Sequence, residues 1–128
     1  MSRAYFLSPL VDAPPGAHAL TIARTGATLA AHVELAGDAE RRRTGLLGRD
    51  GLAASHALVI APCNAVHTFF MRFAIDVVFV DREGVVLKVV RALRPWRIGL
   101  SVRAFAAIEL AAGAASDVQR GDRVLVGA

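Results

Sequence analysis

Cysteine is almost missing from this sequence: Cys63 stands alone among 128 residues. One thiol excludes an internal disulfide framework and fits a reducing compartment. Aromatic residues are also scarce, at 6 % with one tryptophan and one tyrosine, which is a poor basis for a base-stacking platform. Lysine is nearly absent, since fourteen of the fifteen basic residues are arginines and only Lys88 is not. No long apolar run occurs. The longest uncharged stretch, Gly51 to Met71, holds His56, Pro62, Asn64 and His67, too polar for a membrane-spanning helix. The opening residues MSRAYFLSPLVD imitate a signal peptide, but Ser8 and Pro9 break the apolar run and Asp12 ends it without a cleavage site. A cytoplasmic location is the expectation.

What is present suits one folded domain. At 13.5 kDa with 55 % hydrophobic and 20 % charged residues, the chain can bury a core without disulfides or metal. Residues 1–17, with Pro9, Pro14, Pro15 and Gly16, read as an irregular lead-in, and 18–128 as a single β-rich domain. The net charge of +4 would attract phosphates. An Ala, Gly and Arg bias explains that charge equally well, so a nucleic-acid-associated basic protein is the minority reading.

Short apolar, β-branched runs recur between turn signals. Leu20–Arg24 and Thr28–Leu35 flank Gly26 as a hairpin. Asp38 is placed to cap a short helix over AERRRTGLL, with Gly48 as its stop. Ala57–Ala61 reads as a buried strand. Ile75–Asp81 and Val85–Ala92 form a second hairpin around Asp81–Gly84, apolar enough on both faces to be central. Arg103–Leu110 and Arg123–Val126 complete the strands, with one helical turn near Ala111–Ser116. This pattern predicts a mainly β (α+β) fold: a small antiparallel sandwich or barrel with one or two short helices.

From Arg41 onward the order of motifs is distinctive. RRRTGLLGR precedes a short apolar strand. HTFFMRFAIDVVFVDREGVVL follows, then a Pro-Trp loop, AIELAAG and GDRV. In these features the chain resembles the bacterial and archaeal family known as domain of unknown function 192. Phe70, Met71 and Arg72 match its aromatic-Met-basic step, Ile75-Asp76 its Ile-Asp pair, and Ile108-Glu109-Leu110-Ala111 approximates its Leu-Glu-Ala-Gly pattern. Leu47 stands where the family usually has methionine. The resemblance implies a small mainly-β fold and no established activity, substrate or cofactor.

Three groups of residues could carry chemistry. Cys63 and His67 are four apart, a spacing that puts both on one face of a helix or strand; as zinc ligands or a nucleophile–base pair they lack companions, since no CxxC or HExxH accompanies them. No bound metal and no cofactor are expected. Asp76 and Glu109 each interrupt an apolar segment, and a buried carboxylate requires partners. They are expected on adjacent strands near one end of a sheet, with His67 or Arg72 in reach. Their role is structural, as a buried ion pair with Arg72, Arg94 or His67 or as acceptors from backbone N–H groups in a β-bulge, or else functional, as a general acid/base or a polar ligand anchor. Trp96, between Arg94-Pro95 and Arg97, reads as a plug for one end of the fold, or else as a stacking surface. Arg41–Arg43 read as a solvated helix face. Together these favour a non-catalytic binding or accessory module. Its cleft would be lined by His67, Met71, Arg72, Asp76, Trp96 and Glu109, with Cys63 a weaker member. The partner would be an unidentified small polar ligand or a protein. The rival is a hydrolase or lyase using Asp76 or Glu109 as base and His67 as acid.

Overall fold

A computed structural model describes residues 6–11, 13–14 and 16–127. Among these described residues, ten strands and one short α-helix follow one another. They are β1 (Ala19–Ile22), β2 (Thr28–Ala30), β3 (His32–Ala36), α1 (Ala39–Thr44), β4 (His56–Ile60), β5 (Ala65–His67), β6 (Ile75–Val80), β7 (Val86–Leu93), β8 (Ile98–Leu100), β9 (Ala106–Ala111) and β10 (Val124–Gly127). They form a five-stranded sheet in the order β3-β4-β9-β6-β7, a three-stranded sheet β10-β1-β2 and a two-stranded ribbon β5-β8. The mainly-β expectation holds.

The five-stranded sheet is the middle layer, which explains its composition. β6 is buried at every position and β9 at all but its last. Alternation sorts their side chains: Val78, Val80, Ile108 and Leu110 face one core with Leu20, Ile22 and Leu29 of the three-stranded sheet. Val77, Phe79 and Ala107 face a second core with Val66, Met71, Leu46 and Leu93. A strand covered on both sides loses the apolar–polar alternation of a half-exposed one.

Several local expectations change. β3 and β4 run parallel, because the chain crosses over through α1, so the large sheet is not wholly antiparallel. The first hairpin is split: β2 stays with β1, whereas Ala31 and His32 both donate to the Ser55 carbonyl and β3 joins the other sheet. The second hairpin is not central as a unit. β6 is internal, but β7 is an edge strand buried only at its two ends, Val86 and Leu93; β9 is the strand in the middle. Helix α1 stops at Gly45, not Gly48, with φ +48 at the cap. Its amino end is capped as read, the Asp38 side chain accepting from the Arg41 N–H. The lead-in carries a 3-10 turn at Ser8–Leu10, and Leu7 and Leu10 are buried in the first core.

Candidate functional site

The register of β9 decides the fate of the two carboxylates. Asp76 lies opposite Leu110, while Glu109 lies opposite Val77 on one side and Leu58 on the other. The two acids are on adjacent strands near one end of the sheet, but one residue out of phase. They therefore point to opposite faces.

Asp76, buried with Leu110 and Val78, is consumed by backbone. Its Oδ1 accepts from the Ala92 N–H at 2.9 Å, and its Oδ2 from Gly113 at 3.0 Å and Ala115 at 2.9 Å. It ties the end of β7 and the turn after β9 to β6. Ala92 has φ +51, and the bond to Asp76 holds it there.

Glu109 is buried on the other face, and its Oε1 has no hydrogen-bond partner. Burial pushes its carboxyl from the ordinary 4.5 up to about 7, against a smaller downward pull from the Arg49 cation. The carboxyl borders a cavity of about 70 Å³ beneath α1 and β5. Arg42, Arg43, Thr44 and Gly45 wall one side, and Cys63, His67 and Met71 another. A Cβ built on Gly45 would lie 3.9 Å from the Glu109 Oε1, so the helix end approaches the acid closely. A wider groove of about 750 Å³ between the 3-10 turn and α1 shares Thr44 and Gly45 with this cavity and contains the Glu34–Arg49 ion pair at 3.2 Å.

Three of the six expected lining residues, with Cys63, thus surround one cavity: His67, Met71 and Glu109. The other three do not join them. Arg72 is exposed and paired with Asp50, and Asp76 faces away. Trp96 is exposed and plugs nothing. Its ring stacks on Phe69 at 5.8 Å and tilts against Phe70 at 4.6 Å, while Phe69 meets His67 at 5.0 Å. Cys63 donates its thiol proton to the Ala65 carbonyl at 3.1 Å, and burial, ahead of smaller influences, pushes the thiol up. That state opposes a thiolate nucleophile. Among the described residues, no three His, Cys, Asp or Glu side chains are grouped to hold a metal ion. The helix-end wall of Arg42–Gly45 was hidden in the arginine run. Its only sequence signal was Gly45, a poor helix residue where the chain turns against the sheet.

The fold belongs to a recognised class. The model of the family DUF192, described as an uncharacterized ACR, matches residues 20–126. The chain belongs to that family, whose function is not assigned. No curated protein matches the sequence. A protein of unknown function from Novosphingobium aromaticivorans DSM 12444 has a similar crystal structure, with TM-score 0.75, 19 % identity, and coverage of 88 % of this chain and 93 % of the other. A protein of Sinorhizobium meliloti 1021 provisionally described as a transcription regulator has TM-score 0.74 and 23 % identity over 97 % of this chain and 96 % of its own. At such identities the likeness is one of fold. No helix is long and apolar enough to cross a membrane among the described residues.

Proposed function

We propose that this protein is a small-ligand binding module whose recognition group is Glu109. One observation carries the reading: a buried carboxyl oxygen without a partner at the wall of a cavity. An unpaired buried acceptor costs about 1–3 kcal/mol or more, and a ligand that donates to it recovers that energy on binding. The cavity has room for about two waters' share of liquid volume, so the buried part of the ligand is a head group such as an amide or amine, not a ring. Arg42 and Arg43 favour a neutral or zwitterionic molecule over a simple cation. His67 and Met71 stand at the same wall. The free thiol of Cys63 supports a reducing, cytoplasmic setting.

The acid–base alternative is less well supported. Asp76 is unavailable as a base because both its oxygens are occupied by backbone N–H groups, and although Glu109 and His67 border one cavity, no hydrogen bond joins the Glu109 Oε1 to His67. Amide-resolved NMR titration with acetamide, methylammonium and glycine tests the binding reading. At least one probe is expected to shift the β9 and Thr44–Leu46 amides in the wild type and not in Glu109→Leu. Shifts confined to other surfaces, or unchanged in the variant, would remove Glu109 from the site.

A further inference from the structure

The ribbon β5-β8 carries a second feature that the cavity does not use. Seven large apolar side chains are exposed among the described residues, and five lie on this ribbon and its flanking loops: Phe70 and Val102 at 72 %, Ile98 at 63 %, Trp96 at 55 % and Leu100 at 48 %. Four of these occupy every second position from 96 to 102. Gly99 between them turns inward, where a Cβ would meet Leu93 and Val66. The outward side of β8 therefore presents Ile98 and Leu100, with exposed Trp96 and Val102 in the loops on either side of it and the Phe70 ring packed on Trp96.

The aromatic end is held out at a cost. Phe70 and Trp96 both have φ +66, a region that side-chain-bearing residues avoid. Thr68, fully buried, enforces it. Its N–H donates to the Arg97 carbonyl, its carbonyl accepts from Trp96 and Met71, and its hydroxyl bonds Arg94 and Arg97. Strain kept in place by a buried clasp, at solvent-exposed aromatics, marks a built surface.

Charge identifies what the surface meets. From Gly51 to Ile75 and from Gly84 to Ile108 there is no acidic residue. The exposed cations Arg94, Arg97 and Arg103 sit in or beside the apolar run. Lys88 reaches it through a bond from Nζ to the Leu100 carbonyl. A second copy of the chain would bring like charges face to face. A nucleic acid would stack on Trp96 and Phe70 but leave Ile98, Leu100 and Val102 without a partner. Four cavities among the described residues are lined by other side chains; the apolar row is presented as an open face, which suits a flat partner better than an inserted peptide side chain.

We propose that the outer face of the β5-β8 ribbon docks this protein on an anionic lipid surface, its aromatic and aliphatic side chains entering the headgroup boundary and its arginines meeting lipid phosphates. Aromatic and aliphatic groups rimmed by basic residues match the two components of interfacial binding.

Trp96 is the only tryptophan, so its emission reports this face directly. The full chain is titrated with phosphatidylcholine vesicles with and without phosphatidylglycerol, following emission and co-sedimentation. A blue shift and sedimentation are expected with the anionic vesicles only, weakening as salt rises. Arg94→Gln and Arg103→Gln should each weaken partitioning about fivefold. Leu100→Ser and Val102→Ser, at exposed positions, should abolish the blue shift while leaving circular dichroism unchanged. Absence of both signals with anionic vesicles would overturn the proposal. So would equal binding to neutral vesicles, or a single-stranded oligonucleotide quenching Trp96 at lower concentration than the vesicles do.

Discussion

Replacing Glu109 with glutamine should stabilise this protein, by an amount that grows as pH rises from about 4.5 to about 7. In the unfolded chain the carboxyl has its ordinary value of 4.5; in the folded protein burial raises it to about 7. Between those values the folded state holds a proton that the unfolded state has released. Stability therefore falls as pH rises from about 4.5 and levels off above about 7, for a total loss of about 3 kcal/mol. Glutamine has nearly the same shape and no charge, so it removes this slope. At pH about 5 both proteins carry a neutral group, and they should agree within about 1 kcal/mol; at pH about 8 the variant should be more stable by about 2–3 kcal/mol. Urea unfolding of both proteins at the two pH values measures the difference, in which every other titrating group cancels. A variant less stable than wild type at both pH values would refute the reasoning, because it would mean that a buried partner had been stranded.

Asp76→Asn should behave in the opposite way. It replaces an oxygen that accepts from two N–H groups, or the one facing Ala92, with an amide that donates, and should cost about 3 kcal/mol or more in urea unfolding at neutral pH. Gly84→Ala should also be severe. Gly84 has φ +84, and a Cβ there would lie 2.5 Å from the Val124 carbonyl oxygen, so a loss of about 2–4 kcal/mol is expected from the thermal midpoint and enthalpy. Cys63 should react with a thiol reagent at least about tenfold more slowly in the native protein than after unfolding, given its raised thiol and its bond to Ala65; native labelling as fast as in the unfolded chain would indicate a free thiolate.

What the sequence could disclose follows from the physics of each element. Ile75–Val80 was readable as a strand because burial on both faces leaves an unbroken β-branched run. Val86–Leu93 carries a similar run yet lies at the sheet edge, since periodicity describes the faces of a strand and not its neighbours. β5 and β8 are three residues each, too short to stand out, although the alternation from Trp96 to Val102 was there to see. Asp76 and Glu109 were recognisable as acids that needed an explanation. Their separation was not, because a one-residue phase difference between paired strands turns neighbours to opposite faces and becomes visible only with the register. Trp96 illustrates the same gap: composition made it a natural plug, and only the left-handed backbone at Trp96, fixed by Thr68, shows that it points outward.

Carbon-detected NMR titration of the Glu109 side-chain carboxyl, alone and with saturating acetamide or methylammonium, tests the central claim most directly. The account predicts a midpoint near 7 in the free protein. It also predicts that a probe occupying the cavity displaces that midpoint, downward for methylammonium, whose cation favours the carboxylate. A Glu109 carboxyl that titrates near 4.5 and responds to neither probe would contradict it.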